Sequence, residues 1–242
     1  MIIVYAGTRN LYRKMLPSIR SLLAHNDVER IIILAEDDAF PEDVRLPEIC
    51  EVRNVLPLRD RYFRPTGPNI RNKFTWMAMM RALYPDLFPD LDRVIQLDVD
   101  TIVCDDLTPI WTVDLSGKWF AAVPEHLGTH RPYGPKYYNI GVAVLNLEQM
   151  RRDFAVIRLA RRLNEVTCPY VDQDALNRYA MAYGVDLPVR YNETFVTGYT
   201  DHPAIVHFAG VPDWWCNDNA KRHEYLERWQ RPEDYGPEFA EV

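Results

Sequence analysis

Apolar runs rich in β-branched residues alternate along this chain with segments of helical periodicity. Residues 2–6 and 30–35 form runs of the kind found in strands that are buried on both faces, and residues 51–55 form a weaker third run. Between the first two runs, apolar residues from Met15 to Leu23 recur at helical spacing. A strand, a helix and a strand in this order predict a parallel α/β sheet.

The second half of the chain continues the same alternation. The run Arg93–Leu97 leads into Asp98-Val99-Asp100, and Thr101–Val103 is predicted to continue that strand. Further strands are predicted at 120–123, 140–147 and 205–208, helices at 74–83 (ending before Pro85), at 148–166 and from Asp172, and a loop at 57–68. We therefore predict one mixed α/β domain over residues 1–242, with an acidic, frayed tail at 231–242.

Composition narrows the functional classes. A chain of 242 residues with 48% apolar and 26% charged residues is expected to fold, and its net charge of −7 argues against a nucleic-acid-binding protein. No apolar run approaches the ~20 residues of a membrane-spanning helix, so we expect a cytoplasmic protein without membrane insertion. The motifs of dinucleotide-binding dehydrogenases, P-loop enzymes, serine hydrolases and zinc proteases are missing from the sequence.

The clearest chemical signal is Asp98-Val99-Asp100 at the end of an apolar strand. Because strand side chains alternate, both carboxylates are expected on one side, where they could hold Mg²⁺ or Mn²⁺. His207, at the end of another buried run, could complete a mixed nitrogen and oxygen site of the kind that suits Mn²⁺. A solvated turn and a hydrogen-bonded buried histidine are the structural alternatives.

Two further polar positions stand out. Asp172-Gln173 begins a predicted helix, where a carboxylate either stabilises the helix terminus or lies beneath a sugar ring in which positive charge develops. Asn139 begins a strand that is otherwise apolar, which suits either a turn or a hydrogen bond to a ligand.

Taken in order, these motifs resemble family 8 of the glycosyltransferases, which includes the glycogenins and bacterial lipopolysaccharide galactosyl- and glucosyltransferases. The resemblance extends from residue 2 to about residue 215. The segments that carry it are DRVIQLDVDT at 92–101, LTPIW at 107–111, YNIGV at 138–142, NL at 146–147, DQDALN at 172–177 and HFAG at 207–210.

The resemblance implies a GT-A fold, with a Rossmann-like, mostly parallel mixed sheet flanked by helices. It implies retaining, Mn²⁺-dependent (or Mg²⁺-dependent) transfer of glucose or galactose from a UDP-sugar to a saccharide, glycoconjugate or other hydroxyl acceptor. The implied metal ligands are Asp98, Asp100 and His207. The other implied donor contacts are Ala6, Gly7, Thr8, Asn10, Tyr12, Arg81, Val99 and Gly210. Asn139, Asp172 and Gln173 are the implied catalytic contacts to the transferred sugar, with Glu125 near the sugar and the acceptor.

Two departures from the family pattern bear on the donor. Thr8 and Arg9 occupy the place where relatives commonly carry an acidic residue for the base, although uracil remains the expected base. Asp213 stands where a lysine is expected to pair with the diphosphate. Its loss weakens neutralisation of the product phosphates unless Arg9, Lys221 or Arg222 substitutes for it.

The mechanism and the function each have alternatives. Retention by double displacement would need Asp172 as nucleophile, whereas front-face transfer, our preferred hypothesis, lets the leaving phosphate take the acceptor proton. A non-catalytic nucleotide-sugar-binding protein of the same fold is one rival function, favoured by Asp213. A haloacid-dehalogenase-like phosphatase is a weaker rival, because Ile102 stands where its hydroxyl residue belongs. A homo-oligomer is left open.

Overall fold

The apolar runs form the strands of one large sheet. A computed structural model describes residues 1–126, 134–211, 213–231 and 234. Its strands are β1 (Ile2–Gly7), β2 (Arg30–Ala35), β3 (Cys50–Asn54), β4 (Arg93–Leu97), β5 (Thr101–Val103), β6 (Phe120–Pro124), β7 (Tyr138–Asn146), β8 (Gly184–Asp186) and β9 (Ile205–His207). The seven-stranded sheet has the order β3-β2-β1-β4-β7-β6-β8, and β5 pairs with β9 in a separate two-stranded sheet.

Helices cover the large sheet. They are α1 (Leu16–His25), α2 (Leu56–Tyr62), α3 (Thr75–Met79), α4 (Tyr84–Leu87), α5 (Thr108–Trp111), α6 (Leu147–Arg152), α7 (Ala155–Glu165), α8 (Val171–Asn177), α9 (Ala180–Tyr183) and α10 (His223–Glu227). Short 3-10 helices lie at Arg9–Leu11, Met80–Leu83 and Val189–Tyr191.

The strand pairing confirms the predicted mixed, mostly parallel α/β fold. β1 runs parallel to β2 and β4, and β2 runs parallel to β3, whereas β7 is antiparallel to both β4 and β6. Alternate residues of β1 enter two different hydrophobic clusters, so the sheet is buried on both faces. β1, β2 and β4 therefore end at the same edge of the sheet, where ligands bind in open α/β folds.

The prediction that Thr101–Val103 continues β4 is wrong. The chain turns at 98–100, and Thr101–Val103 leaves the large sheet to pair antiparallel with β9, with Thr101 opposite His207. Both segments are apolar and buried, so their composition alone does not distinguish one strand from two.

Two prolines that were predicted to lie outside helices, Pro57 and Pro85, lie in the first turn of a helix. The expected loop at 57–68 contains most of α2, and the helix expected to end before Pro85 is followed by α4, which includes that proline. Both α2 and α4 carry proline in the first two positions, where the missing backbone N–H would have no partner within the helix.

The single helix predicted at 148–166 is two helices, α6 and α7. Phe154, between them, has φ of 55°, in the left-handed region. Asp153 precedes it, and the carboxylate of Asp153 accepts hydrogen bonds from the buried Trp119 Nε1 (2.7 Å) and from Gln149 Nε2 (3.0 Å). These bonds hold the end of α6 against the core and break the helical path.

One prediction reaches residues outside the described part of the chain. Within the tail at 231–242, which was expected to be frayed, Asp234 is buried and forms an ion pair with Arg20, whereas residues 232–233 and 235–242 are not described. Residues 127–133 are likewise outside the described part. Among the helices of the described residues, none combines the length and apolar character needed to cross a bilayer.

Phe154 offers a test of the break between α6 and α7. An L-residue in the left-handed region is strained, and the Phe154 side chain is 67% exposed, so little burial is lost on truncation. We expect Phe154→Gly to raise the free energy of unfolding by about 0.5–1 kcal/mol in denaturant titrations. Phe154→Ala keeps the Cβ strain and serves as the control; equal destabilisation by both variants would contradict this account.

Candidate active site

A cleft of about 530 Å³ opens where β4 ends. A volume of this size is typical of small-molecule sites. Nine of the residues predicted from the sequence line it: Arg81, Asp98, Asp100, Glu125, Asn139, Asp172, Gln173, His207 and Gly210. Residues distant in sequence are thus brought together in one concave surface.

Asp98 and Asp100 reach the cleft from a turn. β4 ends at Leu97, and the chain turns at 98–100. The turn is held at Asp98, whose N–H donates to the Gly141 carbonyl (2.7 Å) and whose carbonyl accepts from Thr101 Oγ1 (2.7 Å). The two carboxylates therefore meet through this turn, and not through the strand alternation expected from the sequence.

His207 comes to the same point from the other sheet. Because Thr101 pairs with His207, the imidazole lies beside the turn, with Nε2 3.3 Å from Asp100 Oδ1 and 3.7 Å from Asp98 Oδ2. One ligand atom from each residue lies within 4.8 Å of the others. Two carboxylates and one imidazole form a donor set that suits Mn²⁺ or Mg²⁺.

Gly141 provides the space for this convergence. A Cβ at position 141 would lie 2.7 Å from Asp98 Oδ2 and closer still to His207 Cε1. Any side chain at this position of β7 would displace the imidazole or the carboxylate, so the close approach of the two ligands depends on glycine.

The charges of Asp98, Asp100 and His207 together favour a cation. Burial lowers the pKa of His207, but the neighbouring Asp100 and Asp98 carboxylates outweigh it, so the pKa is raised. Burial likewise raises the pKa of Asp100, but His207 outweighs it and the pKa is lowered. A proton on His207 would offset one of the two carboxylate charges beside it. Binding of a divalent cation would release that proton, so its affinity is expected to fall as the pH is lowered.

Arg81, from the 3-10 helix Met80–Leu83, links two of the acidic residues. Its Nη1 donates to Asp98 Oδ1 at 2.8 Å, and its Nε lies 2.7 Å from Asp172 Oδ2. Burial raises the pKa of Asp172 to about 7, although Arg81 opposes the shift. The Asp172 carboxyl is thus buried and ion-paired with Arg81.

A second hydrogen-bonded group lines the cleft and consists of Asn139, Glu125 and Gln173. Asn139 Nδ2 and Gln173 Nε2 both donate to Glu125 Oε1, at 3.2 and 3.3 Å. Gln173 Oε1 in turn accepts from the Ile140 N–H at 3.1 Å, and Asn139 Oδ1 accepts from the Gly141 N–H at 3.1 Å.

A β-bulge makes those backbone amides available. Along β6, Ala122 and Val123 are consecutive, but their partners on β7 are Ala143 and Asn139. Residues 140–142 therefore have no partner on β6, and the N–H groups of Ile140 and Gly141 bond to side chains of the site. Bulges of this kind often re-aim groups beside active sites.

The remaining predicted donor residues lie at the same sheet edge but do not line the cleft. Ala6 and Gly7 end β1, and the exposed Thr8 Oγ1 donates to Asn10 Oδ1. Tyr12 is fully buried; its hydroxyl donates to Asp37 Oδ1 (3.1 Å).

Val99 is packed in the hydrophobic core on the β1 side of the turn. A Cβ built on Gly7 would touch its Cγ1. Any donor contact of Val99 would thus come from its backbone.

Sequence reasoning missed two sets of residues. Lys73, Phe74, Tyr170 and Phe195 line the cleft, and the three aromatic side chains are 41–48% exposed. An exposed aromatic residue next to a site motif, as Tyr170 is to Asp172, is a usable signal. Asn192, which bonds to His207, is not among the predicted site residues, because its contact depends on long-range pairing that no local pattern reveals.

Comparisons with known proteins bear on the family and the fold. The sequence model of glycosyl transferase family 8 matches residues 2–218. General stress protein A of Bacillus subtilis (strain 168) is 27% identical over 95% of this chain and 91% of that protein. The probable glycosyl transferase Gly of Streptococcus gordonii is 25% identical over 81% of this chain, which spans only 30% of that longer protein.

Solved structures support the fold. The galactosyltransferase LgtC, in a complex with donor and acceptor sugar analogues, is similar with a TM-score of 0.75 at 21% identity, covering 97% of this chain and 99% of that one. This similarity confirms the expected GT-A fold.

Gly141 provides a test of the three-ligand geometry. We expect Gly141→Ala to abolish saturable Mn²⁺ binding in isothermal titration calorimetry while the far-ultraviolet circular dichroism remains that of a folded protein, because a methyl group would separate Asp98 from His207. Gly117→Ala is a matched control: it strains a residue at φ of 67° with no atom near the new Cβ, and should leave Mn²⁺ binding unchanged. Unchanged Mn²⁺ affinity in Gly141→Ala would contradict the site.

Proposed function

The chain belongs to glycosyl transferase family 8 and is a glycosyltransferase, and we propose that it transfers a hexose from a UDP-sugar with retention of anomeric configuration. Glucose or galactose is the proposed sugar, and a saccharide or another hydroxyl compound is the acceptor. The observation that carries the proposal is the convergence of Asp98, Asp100 and His207 beside Arg81 in one cleft.

Asp98, Asp100 and His207 are the proposed ligands of Mn²⁺ or Mg²⁺. A cation bound there would neutralise the negative charge that develops on the leaving diphosphate. Arg81 keeps the Asp98 Oδ1 atom occupied, so that Oδ2 is the oxygen that faces the imidazole. The protein thereby presents one oxygen of Asp98 to the cation and not both.

The hydrogen-bonded group of Asn139, Glu125 and Gln173 is the proposed site of the transferred sugar. Asn139, Gln173 and Glu125 offer amide and carboxylate groups to sugar hydroxyls, and their mutual hydrogen bonds hold them in place before any ligand arrives. Asp172 is almost fully buried and ion-paired with Arg81, which argues against its acting as the nucleophile of a double displacement. We therefore favour front-face transfer.

Lys221 is the proposed replacement for the diphosphate lysine that Asp213 does not supply. It lines a smaller cavity of about 240 Å³ together with His207 and Gly210. The other two candidates are engaged: Arg9 with Asp37 at 2.6 Å, and Arg222 with the buried Glu193 at 2.7 Å. Lys221 Nζ rests 3.2 Å from the centroid of the Tyr199 ring and has no carboxylate partner among the described residues.

The mouth of the cleft is the proposed acceptor side. Phe74 and Tyr170 pack at a centroid distance of 5.8 Å, with Lys73 Nζ 4.8 Å from the Phe74 centroid. Exposed aromatic faces beside a polar cleft suit the apolar face of a sugar ring. This arrangement supports a saccharide acceptor.

A donor screen tests the proposed function. We expect Mn²⁺-dependent release of UDP from UDP-glucose or UDP-galactose, with the α-anomer of the donor retained in the product by NMR. Asp100→Asn should remove this activity, because it removes a ligand and leaves the site's shape nearly unchanged.

Other outcomes of the screen would point elsewhere. Thermal stabilisation by UDP without turnover would favour the non-catalytic binding protein, and phosphate release from a phosphoester would favour the phosphatase. An inverted product would refute the retaining mechanism.

Lys221 can be tested separately. We expect Lys221→Ala to weaken UDP binding by about tenfold or more in calorimetry with Mn²⁺ present, because a charged contact to the diphosphate is lost. Lys221→Arg should retain most of the affinity. Lys118→Ala is the control, since Lys118 bonds only to the Ala182 carbonyl among the described residues. Equal UDP affinity in wild type and Lys221→Ala would show that another group holds the diphosphate.

A further inference from the structure

The imidazole of His207 is held from behind by Asn192. Asn192 Oδ1 lies 2.8 Å from His207 Nδ1, and the Asn192 side chain is fully buried. A buried amide must find its partners within the protein, because solvent cannot reach it. The contact therefore constrains the imidazole on the side opposite Asp98 and Asp100.

The donor and acceptor roles along this contact follow from one backbone amide. The Gly141 N–H can only donate, and it donates to Asn139 Oδ1 at 3.1 Å. The same oxygen accepts from Asn192 Nδ2 at 2.9 Å, so the amide nitrogen of Asn192 faces Asn139. Reversing either amide would place two donors or two acceptors face to face.

Asn192 consequently turns its oxygen toward His207, and His207 Nδ1 must be the donor. We propose that Asn192 is a positioning residue that fixes the orientation of His207 and the proton on its Nδ1, so that Nε2, which faces Asp98 and Asp100, is the nitrogen available to a cation. This inference rests on the proposed function, in which His207 is a metal ligand. Histidine ligands are commonly oriented through the second ring nitrogen in this way.

The backbone around Asn192 is anchored to β9, which carries His207. The Glu193 N–H donates to the Ile205 carbonyl, and the His207 N–H donates to the Glu193 carbonyl, each at 2.9 Å. The buried Glu193 carboxylate is in turn ion-paired with Arg222. Asn192 and His207 therefore lie on adjacent, mutually bonded segments. The Asn192-Glu193-Thr194 pattern, which resembles a glycosylation acceptor, has this structural use instead.

The tautomer is tested in the metal-free protein. Nitrogen-15 chemical shifts of the histidine rings, recorded at alkaline pH where the rings are neutral, distinguish the two tautomers. Loss of a signal in His207→Gln identifies His207 among the six histidines of the chain. We expect the Nδ1–H tautomer in the wild type and in Asn192→Asp, which keeps an acceptor opposite Nδ1. In Asn192→Leu we expect a mixture of tautomers.

Affinity for Mn²⁺ alone gives the second measurement. Asn192→Leu should bind Mn²⁺ about 10- to 100-fold more weakly in calorimetry. Asn192→Asp restores the acceptor for His207 Nδ1 but not the donor to Asn139 Oδ1, so it should recover only part of the affinity. Asn69→Leu is the matched control, because Asn69 is an equally buried asparagine whose amide bonds to the Leu163 and Val166 carbonyls away from the cleft. It should lower stability without changing the Mn²⁺ affinity or the tautomer.

The outcomes separate this inference from the proposed function. If the wild type binds no Mn²⁺, the proposed metal site fails, and the ring spectrum still decides the role of Asn192. An Nε2–H tautomer in the wild type overturns the inference, as does a wild-type Mn²⁺ affinity in a folded Asn192→Leu protein. If Asn192→Leu does not fold, the wild-type spectrum and Asn192→Asp decide the question.

Discussion

Three carboxylates, Asp98, Asp100 and Asp172, share one cleft, and the structure depends on how their repulsion is offset. Arg81 lies between Asp98 and Asp172, and His207 lies against Asp100. Unpaired buried carboxylates would be strongly unfavourable, so these two bases are needed even without a ligand. One guanidinium and one imidazole still leave an excess of negative charge among these five groups. That excess is what makes the cleft attractive to a divalent cation and, through it, to a diphosphate.

The sequence specifies the strands better than the helices. β2 and β4 have the predicted bounds because a run of buried β-branched residues between polar residues has few alternatives in a parallel sheet. Helix boundaries depend on interactions that the local hydrophobic pattern does not show. Pro85 was expected to end a helix but lies in the first turn of α4, and the break at Phe154 depends on the bond from Trp119 to Asp153, 34 residues apart.

The sequence predicted the parts of the site that follow from residue type. It did not predict the parts that depend on the pairing of distant strands. Asp98, Asp100 and His207 do converge, as the motifs indicated, but a turn and the β5–β9 pairing bring them together instead of strand alternation. Asn192 could not be found this way, because only the pairing of its segment with β9 places it behind His207. Residue type identifies candidate ligands, whereas the residues that hold them in place are determined by the pairing of segments distant in sequence.

Strand β7 contacts both groups of polar residues in the cleft, the one that contains Asp98 and the one that contains Asn139 and Gln173. In its bulge, the Gly141 carbonyl accepts from Asp98, the Gly141 N–H orients Asn139, and the Ile140 N–H orients Gln173. Because neighbouring N–H groups of a strand point to opposite sides, regular pairing to β6 would engage at most one of these two N–H groups, and the side chain that it orients would lose that partner. The path from Asn139 through Asn192 then extends the same control to His207. The proposed metal ligands and the proposed sugar contacts thus both bond to the same stretch of one buried strand, so a change of register there would disturb both at once.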